Sequence, residues 1–144
     1  MTPSLVYSSP FVPAEWIEAH GLTPVCLTPS IESNGVESDG VRQGVCPFAL
    51  AFSREAVNQT SSVGIVFAPL CDQMRRLADI TSGNTELPVF ALHVPRTWQT
   101  PESLEFYRDE LKRLGKFLVG VGGQSPSNKT LANIMLRCDA ERKR

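Results

Sequence analysis

Val63-Gly64-Ile65-Val66-Phe67-Ala68-Pro69-Leu70-Cys71-Asp72-Gln73-Met74-Arg75-Arg76 is the stretch that decides the fold. Residues 63–68 form an unbroken run of small and apolar side chains with no polar face. A strand of that kind is covered on both sides, as in a parallel sheet. Residues 72–81 then read as a helix, so a buried strand passes through a short loop straight into a helix.

The same alternation extends in both directions. Upstream, 5–7 reads as a short first strand, and 13–20 as a helix with Pro13 in its first turn, closed by Gly21. A second strand is expected at 23–27. Residues 28–44 turn polar and rich in Ser, Gly and Glu, which marks a surface loop. A short helix follows over about 47–57. Downstream of the central unit, 87–94 reads as another strand. Thr100, Pro101 and Glu102 then suit the cap, first position and first turn of a long helix. Leu104, Tyr107, Leu111, Leu114 and Leu118 recur every three or four residues along it, predicting one buried stripe. A last helix after Ser127 carries Leu131, Ile134, Met135 and Cys138 on one face. Strands separated by helices imply right-handed crossovers. The expectation is a single domain over 1–144: a small three-layer α/β fold of flavodoxin-like type, with a parallel sheet of about four strands and helices on both faces. In such sheets ligands sit beyond the carboxyl ends of the strands.

Size and charge agree with one globular domain. The chain has 144 residues, enough for a single core, and a net charge of −1 with its cations dispersed. No basic stripe points to nucleic acid and no charge block to a membrane surface. The first eleven residues lack the basic and apolar regions of a signal peptide, and no apolar run approaches the ~20 residues of a bilayer span. A cytoplasmic location is therefore expected. The acceptor-like triplets at Asn58 and Asn128 are then chance matches, and the four cysteines are thiols, ligands or packing residues before disulfides.

Two of those cysteines stand where chemistry is expected. Cys46 precedes Pro47 at the start of one helix, and Cys71 follows the central strand at the start of the next. The partial positive charge of a helix amino terminus favours a thiolate, the form that binds iron or zinc. Both belong to the ligand-binding edge. Spacing alone does not decide between metal ligation and ordinary buried thiols: no Cys-x-x-Cys pair is present, and two ligands cannot close a four-cysteine site. Cys26, inside a strand, and Cys138, on an apolar helix face, read as packing residues.

Other side chains near that edge have plain explanations beside functional ones. Arg75 and Arg76 follow Cys71 and suit a negatively charged cluster or a phosphate, or else ion pairs with Asp72 and Asp79 at helical spacing. Arg75 lies on the cysteine's side of the helix. Arg96, at a strand end, suits a phosphate or carboxylate, or is an exposed loop cation. His93 is a candidate ligand or proton donor, or a satisfied structural histidine. His20 complements a helix dipole, and Glu15 suits a helix start without a catalytic role. The sequence contains no dinucleotide fingerprint, phosphate loop or nucleophile elbow, and Gly120-Val121-Gly122-Gly123 reads as a helix stop.

The words around these residues carry a resemblance. Tyr7-Ser8-Ser9-Pro10-Phe11-Val12-Pro13-Ala14-Glu15-Trp16-Ile17-Glu18-Ala19-His20-Gly21-Leu22-Thr23-Pro24-Val25 is similar to the opening of the 2-hydroxyglutaryl-CoA dehydratase D component and its relatives, which include benzoyl-CoA reductase subunits. The segment with Cys46 resembles that family's first cluster-ligand segment. Residues 66–79, from Val66 through Cys71 to Asp79, resemble the second and are the most specific match. Pro88-Val89-Phe90-Ala91-Leu92-His93-Val94-Pro95-Arg96 and the helix with Tyr107, Glu110, Leu111 and Leu114 follow in the expected order.

The resemblance implies the chemistry of anaerobic metabolism: an oxygen-sensitive [4Fe–4S] cluster held by three cysteines of one subunit, with one iron left open. It implies paired subunits and a separate ATP-dependent activator protein that delivers one low-potential electron. That electron converts the thioester carbonyl of a 2-hydroxyacyl-CoA to a ketyl radical, so that the hydroxyl can leave; the activity is that of a lyase or an acyl-CoA reductase. Cluster ligation carries over to Cys46 and Cys71. Members of the family are longer, and a second α/β domain supplies the third cysteine and much of the acyl-CoA site. Residues 125–144 resemble the connector between the two domains. The expectation is a partial dehydratase-type subunit that acts with a second subunit or a further domain, whether fragment, split subunit or degenerate homologue. The alternative is a non-catalytic binding or assembly module that keeps the scaffold without a cluster.

Overall fold

A computed structural model of the chain describes residues 2–30 and 45–143. The elements are β1 (Ser4–Tyr7), α1 (Ala14–Ala19), β2 (Thr23–Cys26), α2 (Pro47–Val57), β3 (Ser62–Phe67), α3 (Asp72–Asn84), β4 (Val89–Ala91), α4 (Pro101–Gly120) and α5 (Asn128–Arg142). The strands form one parallel sheet in the order β2-β1-β3-β4. Tyr7 stands beside Cys26 on one side and Val66 on the other. Most of the polar loop expected at 28–44 lies outside the described residues.

Alternation along the strands divides the core in two. Leu5, Tyr7 and Val66 pack with Ile17 of α1 and Leu114 and Leu118 of α4. Val6, Ile65 and Phe67 point the other way, onto Phe52 and Ala56 of α2 and Leu77 and Ala78 of α3. The chain steps from β1 outward to β2, and from β3 outward to β4 in the opposite direction. Crossovers of one hand then put α1 and α3 on opposite faces. The result is the three-layer α/β architecture expected from the central strand. Phe52 and Phe67 meet edge to face at 5.0 Å, a favourable aromatic geometry.

Gly64 of β3 is set by close packing. A Cβ there would stand 3.1 Å from Phe117 Cζ and 3.2 Å from both Leu5 Cδ1 and the Pro88 carbonyl. Gly21 closes α1 at φ +81°, the left-handed conformation that glycine adopts without a Cβ penalty.

Four expectations need correction. β4 is shorter than 87–94: only Val89–Ala91 pairs as a strand, although Pro88 still accepts from Ile65 and Leu92 still donates to Phe67. β4 is an edge strand, and its ladder stops at Ala91 because its partner Phe67 is the last residue of β3. Helix α3 runs on to Asn84, past its last buried residue, Thr81. The stripe on α4 is only partly buried. Leu114 and Leu118 are fully buried, whereas Leu104 is 53% exposed. A 20-residue helix is about 30 Å long and strands of three to six residues span ~10–20 Å, so the first turns of α4 overhang the sheet. Cys26 is not a packing residue: it is exposed at the end of β2, the other edge strand.

Helix α5 lies against α1, outside the three layers. Leu131, Ile134 and Cys138 are half-buried and Met135 is exposed, so the expected apolar face is only shallowly covered. His20, the C-cap residue of α1, is buried. Its Nδ1 lies 2.7 Å from the Trp16 carbonyl, and its ring meets the Trp16 ring edge-on.

Candidate functional site

The strand order reverses between β1 and β3, so the crevice at their carboxyl ends is where this architecture places ligands. Two cysteines come to that edge. Cys46 is the N-cap residue of α2, followed by Pro47 at the first helical position, and Cys71 is the N-cap residue of α3. Neither thiol caps its helix by a side-chain hydrogen bond. Cys71 is exposed, Cys46 half-buried, and both are free thiols.

A bond between the helices holds the two loops together. The Cys46 amide donates to Gln73 Oε1 at 3.4 Å, and Gln73 lies two residues past Cys71 in the first turn of α3. The amino termini of α2 and α3 therefore stand side by side, each headed by a cysteine. Ser53 and Thr81 add a second link at 2.6 Å further along the same helix pair. The amino-terminal dipoles of both helices favour an anionic group bound between them.

The other candidate residues differ in what they engage. Arg75 pairs with Asp72 on the exposed side of the first turn of α3, the plain ion pair weighed from spacing. The Arg75 amide donates to the Cys71 carbonyl at 3.1 Å, an ordinary helical bond. His93 is exposed just beyond β4, and its amide, rather than its ring, makes the contact that fixes it: a 2.8 Å bond to Glu110 Oε2. Arg96 is exposed in the loop that follows. Glu15 pairs with Arg142 of α5 and Glu18 accepts from Arg137 at 2.5 and 2.6 Å; both carboxylates on α1 thus serve to hold α5. The bond to Glu18 raises the pKa of Arg137 further above its ordinary range.

Sequence reasoning missed three participants. Gln73 bridges the cysteine loops through a tertiary contact that no local pattern announces. Glu110 is a buried carboxylate, tied to His93 and to Arg113, in a position its helical spacing shared with the apolar stripe. Cys26 opens onto a cavity of about 490 Å³ at the same sheet edge but on the α1 and α4 side. Burial, and then the neighbouring Cys26, raise the pKa of Tyr7, which shares that cavity.

As a donor set for an iron–sulfur cluster, the residues fit in kind and are incomplete in number. Two thiols at adjacent helix amino termini suit iron, and among the described residues no group of three His, Cys, Asp or Glu side chains is gathered to hold a metal. No helix of the described residues is long and apolar enough to cross a membrane. The sequence pattern of the family described as 2-hydroxyglutaryl-CoA dehydratase, D-component, matches residues 10–144. No curated protein matches the chain.

Proposed function

The chain belongs to the 2-hydroxyglutaryl-CoA dehydratase D-component family, and from that membership we propose that it is a dehydratase-type subunit whose Cys46 and Cys71 supply two thiolate ligands to a [4Fe–4S] cluster. The observation that carries the reading is the pairing of the two helix starts, with Gln73 of one holding the backbone of the other. When bound, such a cluster supplies low-potential single electrons for the dehydration or reduction of an acyl-CoA. The third ligand comes from outside the described residues, from a further domain or a second subunit. Electrons arrive from an ATP-dependent activator, in a cytoplasmic, oxygen-free setting.

The protein's own residues have separable parts in this account. Cys46 and Cys71 would hold iron through their sulfurs at the amino termini of α2 and α3. Gln73 fixes the spacing between them and is a positioning residue. Arg75 and Arg96 offer positive charge at the sheet edge for the cluster or a CoA phosphate, with Arg75 shared with Asp72. His93 stands at the end of β4, held by Glu110, within the same rim as a proton donor.

Cobalt(II) tests the shared site without a partner. Added to reduced, metal-free protein under exclusion of oxygen, it is expected to give a thiolate-to-cobalt charge-transfer band. Cys46→Ala and Cys71→Ala should each abolish most of it, and Cys26→Ala and Cys138→Ala should leave it intact. Equal spectra for all four variants would contradict the assignment.

A further inference from the structure

The cysteine pair uses only the α2 and α3 side of the carboxyl edge. On the opposite side, between the loop after β1, the loop after β4 and α4, lies the cavity of about 490 Å³, within the usual ~300–1,000 Å³ of small-molecule sites. Tyr7, Phe11, Cys26, Trp98, Tyr107 and Arg142 line it. Its aromatic wall is built rather than incidental. Phe11 and Trp98 lie nearly parallel, 16° apart with centroids at 6.2 Å, and Trp98 meets Tyr107 edge-on at 5.3 Å. The Tyr107 hydroxyl donates to the Phe11 carbonyl at 3.2 Å, and the Phe11 amide donates to Ser9 Oγ at 3.3 Å. These bonds fix the loop after β1 against α4. The wall is therefore in place before anything binds, which lowers the ordering cost of binding.

Phe11 and Trp98 nonetheless stay 42% and 45% exposed. Two large rings ordered against each other yet open to water are worth more to a ligand than to the fold. At the rim, Arg142 pairs with Glu15, whose carboxylate is mostly covered, while the Arg142 side chain remains 63% exposed. A carboxylate engages at most part of the five-donor guanidinium, so Arg142 keeps donors for a second anion.

We infer that this cavity is a binding site for a flat ring carrying an anionic substituent, with the ring against Phe11 and Trp98 and the anion at Arg142. The ring and the anion are the shared chemistry of a nucleotide and of an aryl carboxylate. The inference goes beyond the cysteine site and does not depend on iron: the cavity shares no lining residue with the Cys46 and Cys71 loops, and binding is measured on metal-free protein.

Two probes separate the sources, adenosine 5′-monophosphate and 2-naphthoate, each compared with its uncharged parent, adenosine or naphthalene. Saturable quenching of Trp98 fluorescence is expected from at least one anionic probe. Phe11→Ala should weaken it about tenfold, as loss of one stacking partner does. Arg142→Ala should weaken the anionic probe to the level of its uncharged parent. Trp98→Phe leaves Trp16, which does not line the cavity, as the remaining tryptophan, so binding to that variant is followed by calorimetry and should persist. Bound probe should also slow alkylation of Cys26 by iodoacetamide while leaving exposed Cys71 unchanged, read by peptide mass mapping. Quenching by adenosine monophosphate alone assigns a nucleotide, and by naphthoate alone an aryl acid. Absence of saturable quenching by either probe, or alkylation of Cys26 unaffected by saturating probe, would overturn the inference. Either result leaves the cobalt experiment on Cys46 and Cys71 untouched.

Discussion

Glu110 shows how one polar residue on an apolar stripe can satisfy a backbone amide that lies just past the end of a strand. Its Oε2 accepts the His93 amide at 2.8 Å and its other oxygen pairs with Arg113, so a buried carboxylate is fully engaged. Arg113 in turn lies 5.1 Å above the Phe90 ring. Glu110→Ala leaves the amide without its partner, and the expected cost is about 1–3 kcal/mol in urea unfolding; Glu110→Gln, which keeps an acceptor, should lose less. Tyr107 shares an alkaline pH dependence with Tyr7, the pKa of each raised by burial, and Tyr7 is the one that also faces Cys26. Burial, followed by Cys26, raises its pKa above the unfolded value of ~10. The native state thus favours the neutral phenol. Its contribution to stability is complete below pH ~10 and is lost as pH rises through the raised folded value. Tyr7→Phe should flatten that alkaline loss in denaturant midpoints measured from pH 9 to 11 (a range set by the tyrosine reference value of ~10). An alkaline slope equal to wild type would place the titration elsewhere.

Helix α5 belongs to the fold by a different bond type from the other helices. It contains no fully buried residue and is tied to α1 by the Glu18–Arg137 and Glu15–Arg142 pairs. Ion pairs whose cations are open to solvent contribute little to stability, so its docking is marginal beside that of α4, which buries Leu114 and Leu118 completely. Amide exchange should accordingly be faster in α5 than in α4. Roughly 1 M salt, where the Debye length falls to about 3 Å, should speed exchange in α5 and leave α2 and α3 unchanged. Protection of α5 equal to that of α4 would show that Leu131, Ile134 and Cys138 hold it instead. The elements themselves were readable from local pattern. Pro47 and Pro101 at first helical positions, and Thr100 accepting from the Ser103 amide, start their helices at the residues expected. Lengths were less readable. Where β4 stops and which turns of α4 overhang depend on the neighbouring strand, which local sequence does not specify.

At the scale of the molecule, the parallel three-layer arrangement follows from one apolar strand and its flanking helices, and so does the edge at which chemistry belongs. Cys46 and Cys71 were legible there because each sits at a local boundary, one before a helix-starting proline and one after the central strand. Gln73 was not legible, because its partner is 27 positions away on another helix. Nor was the exposure of Cys26, since strand order, not the strand's own residues, makes β2 an edge. The proposed function adds to this geometry a cluster that Cys46 and Cys71 would ligate. Iron and acid-labile sulfide, determined on protein purified and reconstituted without oxygen, test that claim most directly. The account predicts brown protein containing both, with the colour and the iron lost in Cys46→Ala and Cys71→Ala and kept in Cys26→Ala. Iron and colour retained when Cys46 and Cys71 are both replaced, or lost equally in Cys26→Ala, would contradict it.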